Sequence, residues 1–146
     1  MSSRRSLLAA FAAATIGGCG GGPPDPAVVD LTVSASPDVN GARSVAVRVY
    51  GLGATGRFTS ATAYTLIDRD TVLGDEGTRL EEIVVRPGES RKITLMPKPN
   101  VRYIGVVVLF QDIDRAQWRG MAPIAASGVT PLKLVLGGNA AQLVAA

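Results

Sequence analysis

Histidine is absent from this 146-residue chain, and cysteine occurs once, at Cys19. A single cysteine cannot form an internal disulfide. Without histidine, the chain lacks the usual general base and the commonest transition-metal ligand. These absences exclude a Cys/His zinc site and any Ser-His-Asp or Cys-His nucleophile arrangement. We therefore expect a protein that is not an enzyme and that needs neither a metal nor a soluble cofactor.

The chain also has little net charge and few aromatic residues. Fifteen Lys and Arg residues stand against 12 Asp and Glu residues, and setting aside Arg4 and Arg5 near the N-terminus leaves 13 basic residues. No basic stripe suited to a phosphate backbone is present in the sequence, so we expect no nucleic-acid partner. Aromatic residues make up 5% of the chain. That content argues against an aromatic platform for a small-molecule substrate.

Residues 1–18 have the pattern of a secretory signal peptide. Arg4 and Arg5 form a positive region, the apolar stretch 7–16 follows, and Gly17-Gly18 supply small residues before a cleavage point. A bilayer-spanning helix needs roughly 20 apolar residues, so ten are too few. The sequence predicts export and removal of this segment.

Ile16-Gly17-Gly18-Cys19 resembles a lipobox, the recognition site of lipoprotein signal peptidase. The resemblance implies cleavage before Cys19 and a covalent lipid on its sulfur, with stable anchoring by two or more acyl chains. Gly20, in place of Asp, implies sorting to the outer membrane, on its periplasmic face. Residues 19–28 are rich in Gly and Pro and predict a lipidated tether. The folded domain is predicted over residues 29–146.

Period-two alternation predicts strands over much of this domain. Apolar residues alternate with polar ones over 29–35 and 45–49, with a turn-rich stretch between the two segments. The apolar run 103–110 predicts a central strand that is buried on both faces. Further strands are expected over 116–122, 130–136 and 140–144. The whole pattern favours an all-β sandwich of seven to eight strands.

Two other segments lead to more specific expectations. Phe58, Ala61, Thr62 and Leu66 have helix-like spacing, which predicts a short helical insertion between the second and third strands, with Thr59 as its cap. In the segment 80–96, apolar residues lie on both sides of Pro87-Gly88. This pair is typical of a type II turn, and the segment is expected to form a β-hairpin.

Several candidate sites are weak. The acidic pairs Asp68/Asp70 and Asp112/Asp114 lack the frame of a calcium loop. The glycines in 51–56 match a dinucleotide fingerprint by letters, but the alternation of strands and helices that such a site needs is missing. Trp118 is either an interface hot spot or, as its place in a strand favours, a core anchor.

Four sequence features occur in order along nearly the whole mature chain, downstream of the lipobox. The features are Asn40-Gly41 ahead of the strand 44–52, Phe58 followed by Ala61, Leu66 and Leu73-Gly74, the turn Arg86-Pro87-Gly88-Glu89, and Ile104-Gly105-Val106 leading through Phe110 to Ala116-Gln117-Trp118-Arg119. Together these features resemble the type VI secretion lipoproteins, the TssJ/VasD/SciN family.

This resemblance implies a transthyretin-like β-sandwich with added helical segments and a role without catalysis. It implies an outer-membrane-anchored subunit of the type VI membrane complex that binds the periplasmic C-terminal region of TssM, and through it TssL. The family's contact is attributed to the loop between the first two strands. Here Pro37, Asp38, Asn40 and Arg43 are the expected contact residues. Asn40-Gly41 is also ordinary turn chemistry, and both interpretations can hold.

Two other classes stay open on the residues alone. A generic periplasmic ligand-binding lipoprotein would share the sandwich but would need an aromatic platform or cleft. A periplasmic hydrolase would need an acid/base or metal constellation, which this sequence does not offer.

Overall fold

The computed structural model describes residues 25–146, which form eight β-strands in two four-stranded sheets. One sheet has the strand order β4-β1-β7-β8 and the other has the order β3-β2-β5-β6. This arrangement confirms the predicted all-β sandwich. The strands are β1 Ala27–Ala35, β2 Val45–Leu52, β3 Gly77–Val85, β4 Ser90–Leu95, β5 Tyr103–Val108, β6 Arg119–Pro123, β7 Gly128–Leu136 and β8 Ala141–Ala145.

The main hydrophobic core lies between the two sheets. It is built from the apolar residue at every second position of the strands, because side chains of a strand alternate between its two faces. Val29, Leu31 and Val33 of β1 face Val47 and Val49 of β2, and all five are buried. β1 pairs parallel to β7 and antiparallel to β4, so it occupies the centre of its sheet.

The predicted helical insertion is present between β2 and β3, and it consists of three short pieces. These are helix α1 (Gly56–Ser60), helix α2 (Ala63–Asp68) and a 3₁₀ helix (Asp70–Glu76). The prediction that Thr59 caps the helix is wrong. Ala61 is extended (φ −73°, ψ 149°) and separates the two helices. The cap of α2 is Thr62, whose side chain accepts a hydrogen bond from the amide of Thr65 at 3.2 Å.

The insertion covers the outer face of the β3-β2-β5-β6 sheet. Its large apolar side chains Phe58, Leu66 and Leu73 form a second buried cluster with outward residues of that sheet, among them Tyr50 and Leu52 of β2. This cover explains why β5 is buried on both faces, as the run 103–110 predicts. Gly105 of β5 makes room for the Phe58 ring, since a Cβ there would lie 2.8 Å from Cζ of Phe58.

Two arginines of the sheet hold the ends of the short helices. Nη1 of Arg119 donates to the carbonyls of Phe58 and Ala61, both at 2.8 Å, and Nη1 of Arg48 donates to the carbonyl of Ile67 at 3.1 Å. Positive charge at helix C-termini is favourable because unpaired carbonyls gather there. Burial lowers the pKa of Arg119.

A tyrosine adds a further tie between the sheet and the insertion. The hydroxyl of Tyr50 donates to Oδ2 of Asp70 at 3.2 Å. Burial raises the pKa of Tyr50, an effect that a hydrogen bond with Arg48 partly offsets. The insertion is thus fixed by apolar packing in its centre and by polar contacts at its edges.

The expectation of a hairpin over 80–96 is wrong. The turn itself forms, with Gly88 at φ +76° and the amide of Glu89 bonded to the carbonyl of Arg86 at 3.0 Å. However, β3 pairs with β2 and β4 pairs with β1, so the two strands belong to opposite sheets. The turn is therefore a corner that carries the chain from one sheet to the other, and each strand still points its apolar residues into the core.

The strand registers define two ends of the sandwich. The loop end comprises the connections 36–44, 86–89, 109–118 and 137–140, because the strands that flank them end at paired positions. The opposite end, here named the tether end after the predicted tether over residues 19–28, comprises the start of β1 and the connections at 53–55, 96–102 and 124–127. β1 runs from the tether end to the loop end, over about 26 Å at the usual rise of a strand.

Candidate functional site

The predicted partner-binding loop lies at the loop end. It connects β1 to β2 and therefore bridges the two sheets. Ala35 and Val45, at its two margins, are both buried in the core. The loop is thus at the far end of the domain from residue 27, where β1 begins.

The backbone of this loop is unusual at three consecutive positions. Asn40, Gly41 and Ala42 have φ values of 53°, 66° and 61°. Left-handed residues normally occur singly, and alanine pays roughly 1–2 kcal/mol for this conformation. Asn and Gly tolerate it best, which gives the predicted turn chemistry of Asn40-Gly41 a physical basis. An unfavourable backbone that persists in an exposed loop is a feature often found at functional sites.

Asn40 holds the loop in this conformation. Its side chain is 8% exposed, with Nδ2 donating to the carbonyl of Ser44 at 3.0 Å and Oδ1 accepting from the amide of Gln111 at 2.7 Å. Its own amide donates to the carbonyl of Gly138 at 2.8 Å. Asn40 therefore joins three connections of the loop end, and its side-chain groups are occupied within the protein.

The other three predicted contact residues behave differently. Pro37, Asp38 and Arg43 are all exposed. Oδ1 of Asp38 accepts a hydrogen bond from the hydroxyl of Ser36, and Nη1 of Arg43 donates to Oε1 of Gln111. These surface contacts orient the two charged side chains without burying them.

A groove of about 510 Å³, lined by polar residues and glycines, runs beside the loop. Besides loop residues, it is lined by Gln111 and Asp112 from the β5–β6 connection and by Gly138 and Asn139 from the β7–β8 connection. Sequence reasoning missed these four residues. Gly137-Gly138-Asn139 carries a turn signal, but only the fold brings it beside residues 38–41.

The remaining sequence candidates are distributed as follows. Trp118 is half-buried and packs against both buried clusters, with the guanidinium of Arg119 4.4 Å from the centre of its ring. This favours the core-anchor interpretation.

Asp114 accepts a hydrogen bond from the hydroxyl of Tyr64 at 2.8 Å, which raises the pKa of Tyr64. Within residues 25–146, no group of three or more His, Cys, Asp or Glu side chains could hold a metal ion.

Several sequence predictions concern the N-terminal segment. The predicted signal peptide 1–18, the recognition residues Ile16, Gly17 and Gly18, and the lipidation site Cys19 lie outside the described residues. No helix within the described part of the chain is long and apolar enough to cross a membrane.

Comparison with known proteins places this arrangement in a family. The family model described as "Type VI secretion lipoprotein, VasD, EvfM, TssJ, VC_A0113" matches residues 27–139. No curated protein gives a significant sequence match.

Solved structures agree with this match. The type VI lipoprotein TssJ1 from Pseudomonas aeruginosa is 29% identical, with a TM-score of 0.77 over 85% of this chain and 98% of that one. Lip from Serratia marcescens, a membrane-bound component of the type VI secretion system, is 23% identical, with a TM-score of 0.73 over 83% and 98%. A chain in the structure of a type VI membrane complex is 23% identical, with a TM-score of 0.67 over 84% and 99%.

Proposed function

The chain belongs to the type VI secretion lipoprotein family, and on that premise we propose that it is a non-catalytic subunit of the secretion system's membrane complex. It is anchored by lipid on Cys19 to the periplasmic face of the outer membrane. It binds the periplasmic C-terminal region of TssM through the loop 36–43, and TssL joins through TssM. The observation that carries this proposal is the loop that two side-chain hydrogen bonds of Asn40 hold in place, at the end of the sandwich away from residue 27.

The short stretch of chain between Cys19 and β1 supports this division of the molecule into two ends. β1 begins at Ala27, eight residues after Cys19. Eight residues span at most about 28 Å when fully extended. A lipid on Cys19 therefore keeps the tether end close to the membrane, while the length of β1 separates the partner loop from the point of attachment.

The hydrogen bonds that order the loop support a role in recognition. Ordering a flexible loop on binding costs free energy, and a loop that is already ordered avoids most of that cost. Asn40 supplies this order, whereas Pro37, Asp38 and Arg43 present their side chains to solvent. We assign the partner contact to these three residues, with Asn40 as the positioning residue.

The groove beside the loop extends the contact. Gln111 and Asn139 line it from two other connections, so a partner that reaches the loop also meets these side chains. The family membership and the fold shared with a chain in a type VI membrane complex support TssM as the partner.

Binding is tested with the soluble chain from Gly20 onward, by biolayer interferometry against the immobilised periplasmic region of the cognate TssM. We expect measurable affinity for the parent chain. A variant with Gly/Ser residues at 37, 38, 42 and 43, but with Asn40 and Gly41 kept, should bind at least about tenfold more weakly if hot-spot residues are lost. A folded parent chain that does not bind would remove TssM as the partner.

Anchoring is tested separately in cells. Mass spectrometry of the mature protein should find a lipid-modified Cys19 as the N-terminal residue, and the protein should sediment with outer membranes. Cys19→Ser should release the protein into the periplasm. Recovery of unmodified Cys19 in the soluble fraction would contradict the proposed anchor.

A further inference from the structure

The outer face of the β4-β1-β7-β8 sheet, here called the open face, differs from the covered outer face of the other sheet. Alternate residues of its four strands point outward and remain exposed or half-buried. At its middle, Thr32 of β1 pairs with Lys92 of β4 on one side and with Lys133 of β7 on the other. Two of the chain's three lysines therefore lie in one row across the sheet, on the two strands that flank β1.

Polar residues flank this row where β4 pairs with β1, with Ser90 and Ser34 on one side and Thr94 and Asp30 on the other. Exposed valines lie at other positions of the same face. Val129, Val135 and Val144 are 59%, 39% and 37% exposed, and Val144 pairs directly with Lys133. Val28 pairs with Val129 at the tether end of the same face.

The outward side chains of this face carry two positive charges, on Lys92 and Lys133, and one negative charge, on Asp30. Asp30, which accepts a hydrogen bond from the hydroxyl of Thr94 at 3.4 Å, is the acidic side chain that points outward among the lysines. Lysine stems pack along apolar surface while their ammonium groups reach polar groups beyond it. A lysine side chain close to an anionic lipid surface is attracted to it and favours binding of the protein to that surface. Valine side chains are uncharged and do not oppose this contact.

The tether connects directly to this face. β1, which carries Val28, Asp30 and Thr32, belongs to the open face and is the strand that follows the tether. We propose that the open face lies against the phospholipid surface of the membrane, with Lys92 and Lys133 contacting anionic headgroup phosphates. This inference rests on the proposed lipid anchor at Cys19, since that bond keeps the face within reach of lipid. In this orientation, the partner loop opens sideways and stays clear of the headgroups.

The orientation can be measured because Cys19 is the chain's one cysteine. The chain from Cys19 onward is coupled through that thiol to a maleimide lipid in nanodiscs of phosphatidylethanolamine and phosphatidylglycerol. The discs also carry a gadolinium-chelating lipid, and relaxation of the valine methyl groups is read by NMR. Val144 and Val72 are both 37% exposed, but Val72 lies on the insertion, at the opposite side of the sandwich. We expect the methyl groups of Val144 to relax several times faster than those of Val72.

Lysine substitutions then test the basis of this orientation. In the Lys92→Gln/Lys133→Gln variant, each lost lysine should lower the ratio of face-down to freely turning molecules about fivefold. The control, Arg69→Gln/Arg86→Gln, removes the same charge elsewhere and should keep the parent's ratio of relaxation rates. Equal relaxation of Val144 and Val72 in the parent, or an unchanged ratio after loss of both lysines, would overturn the inference.

The chemical coupling separates this inference from the proposed anchor. A chain that lies on its open face in nanodiscs, but that carries no lipid in cells, would support the surface and remove the anchor. A chain that is lipidated in cells, but whose Val144 and Val72 methyl groups relax equally in nanodiscs, would support the anchor and remove the proposed membrane-facing surface.

Discussion

The connection 53–76, which follows β2, buries the large side chains of Phe58, Leu66 and Leu73, whereas the connection 36–44, which precedes β2, buries only Val39 and Asn40. Both flank the same strand, yet different forces hold them. The longer one is fixed mainly by apolar packing against the sheet. The shorter one is fixed by the single apolar anchor Val39 and by hydrogen bonds of the Asn40 side chain, which hold a left-handed backbone in place.

This contrast separates stability from recognition within one small domain. A connection held by apolar packing must turn its large side chains inward and has few left to offer a partner. A connection held by one buried amide can expose almost all of its other side chains and still be ordered. We therefore expect substitutions in 53–76 to act on folding, and substitutions at exposed positions of 36–44 to act on binding.

The largest effect on folding is expected from Phe58→Ala. Phe58 is fully buried against Tyr50 and Gly105. Its truncation should lower the free energy of unfolding by about 3–5 kcal/mol. Urea denaturation followed by circular dichroism measures this change. Val72→Ala, in the same connection but partly exposed, is the control and should cost no more than about 0.5 kcal/mol. Similar costs for both variants would mean that the insertion is not packed on the sheet.

Asn40→Ala should have the next largest effect. It leaves the amide of Gln111 and the carbonyl of Ser44 without their partner, which costs about 1–3 kcal/mol of unfolding free energy. Asn139→Ala is a matched control at the same end of the sandwich, because that side chain is exposed. It should change stability by no more than about 0.5 kcal/mol. Equal losses of unfolding free energy in Asn40→Ala and Asn139→Ala would contradict the role of Asn40 as the residue that fixes the loop.

Arg119→Met is expected to cost about 1–3 kcal/mol, because two helix-end carbonyls lose a charged donor while apolar packing is largely kept. Hydrogen exchange should accelerate in α1 and at Ala61 and stay unchanged in β1. Arg69→Met removes an exposed ion pair with Asp68 and should be nearly neutral. Protection of α1 that is unchanged in Arg119→Met would show that the guanidinium does not hold the insertion.

The smallest effect is expected from Ala42→Gly. Glycine removes a left-handed cost of roughly 1 kcal/mol but gains freedom in the unfolded chain, and the two terms nearly cancel. The net change should lie within about 0.5 kcal/mol. Ala46→Gly, in β2, has no such compensation and should destabilise by about 0.5–1 kcal/mol. Thermal unfolding of the two variants side by side tests this difference, and a reversed order would contradict the left-handed assignment at Ala42.

Much of the fold could be predicted because it depends on local periodicity. The alternation in 29–35 and 45–49, and the continuous apolar run 103–110, indicate strands with one or two buried faces, and the structure agrees. The expected hairpin failed for a physical reason. Pro87-Gly88 specifies a turn, but a turn does not specify whether the next strand joins the same sheet or the facing one.

The candidate site could be predicted only in part. The turn chemistry of Asn40-Gly41 is visible in the sequence, and so are the polar residues beside it. The burial of Asn40 is not, because it depends on Gln111, 71 residues away. The groove could not be predicted from the sequence for the same reason, since Gly138 and Asn139 reach it only through the pairing of β7 with β1. Contacts of high sequence separation require the fold itself.

The most direct test of the account measures binding and stability on the same variant, Asp38→Ala/Arg43→Ala. Biolayer interferometry against the periplasmic region of TssM should show a Kd at least about tenfold higher than that of the parent chain. Urea denaturation should show an unfolding free energy within about 0.5 kcal/mol of the parent's. An unchanged Kd, in a variant that is as stable as the parent, would contradict the assignment of partner recognition to the exposed side chains of this loop.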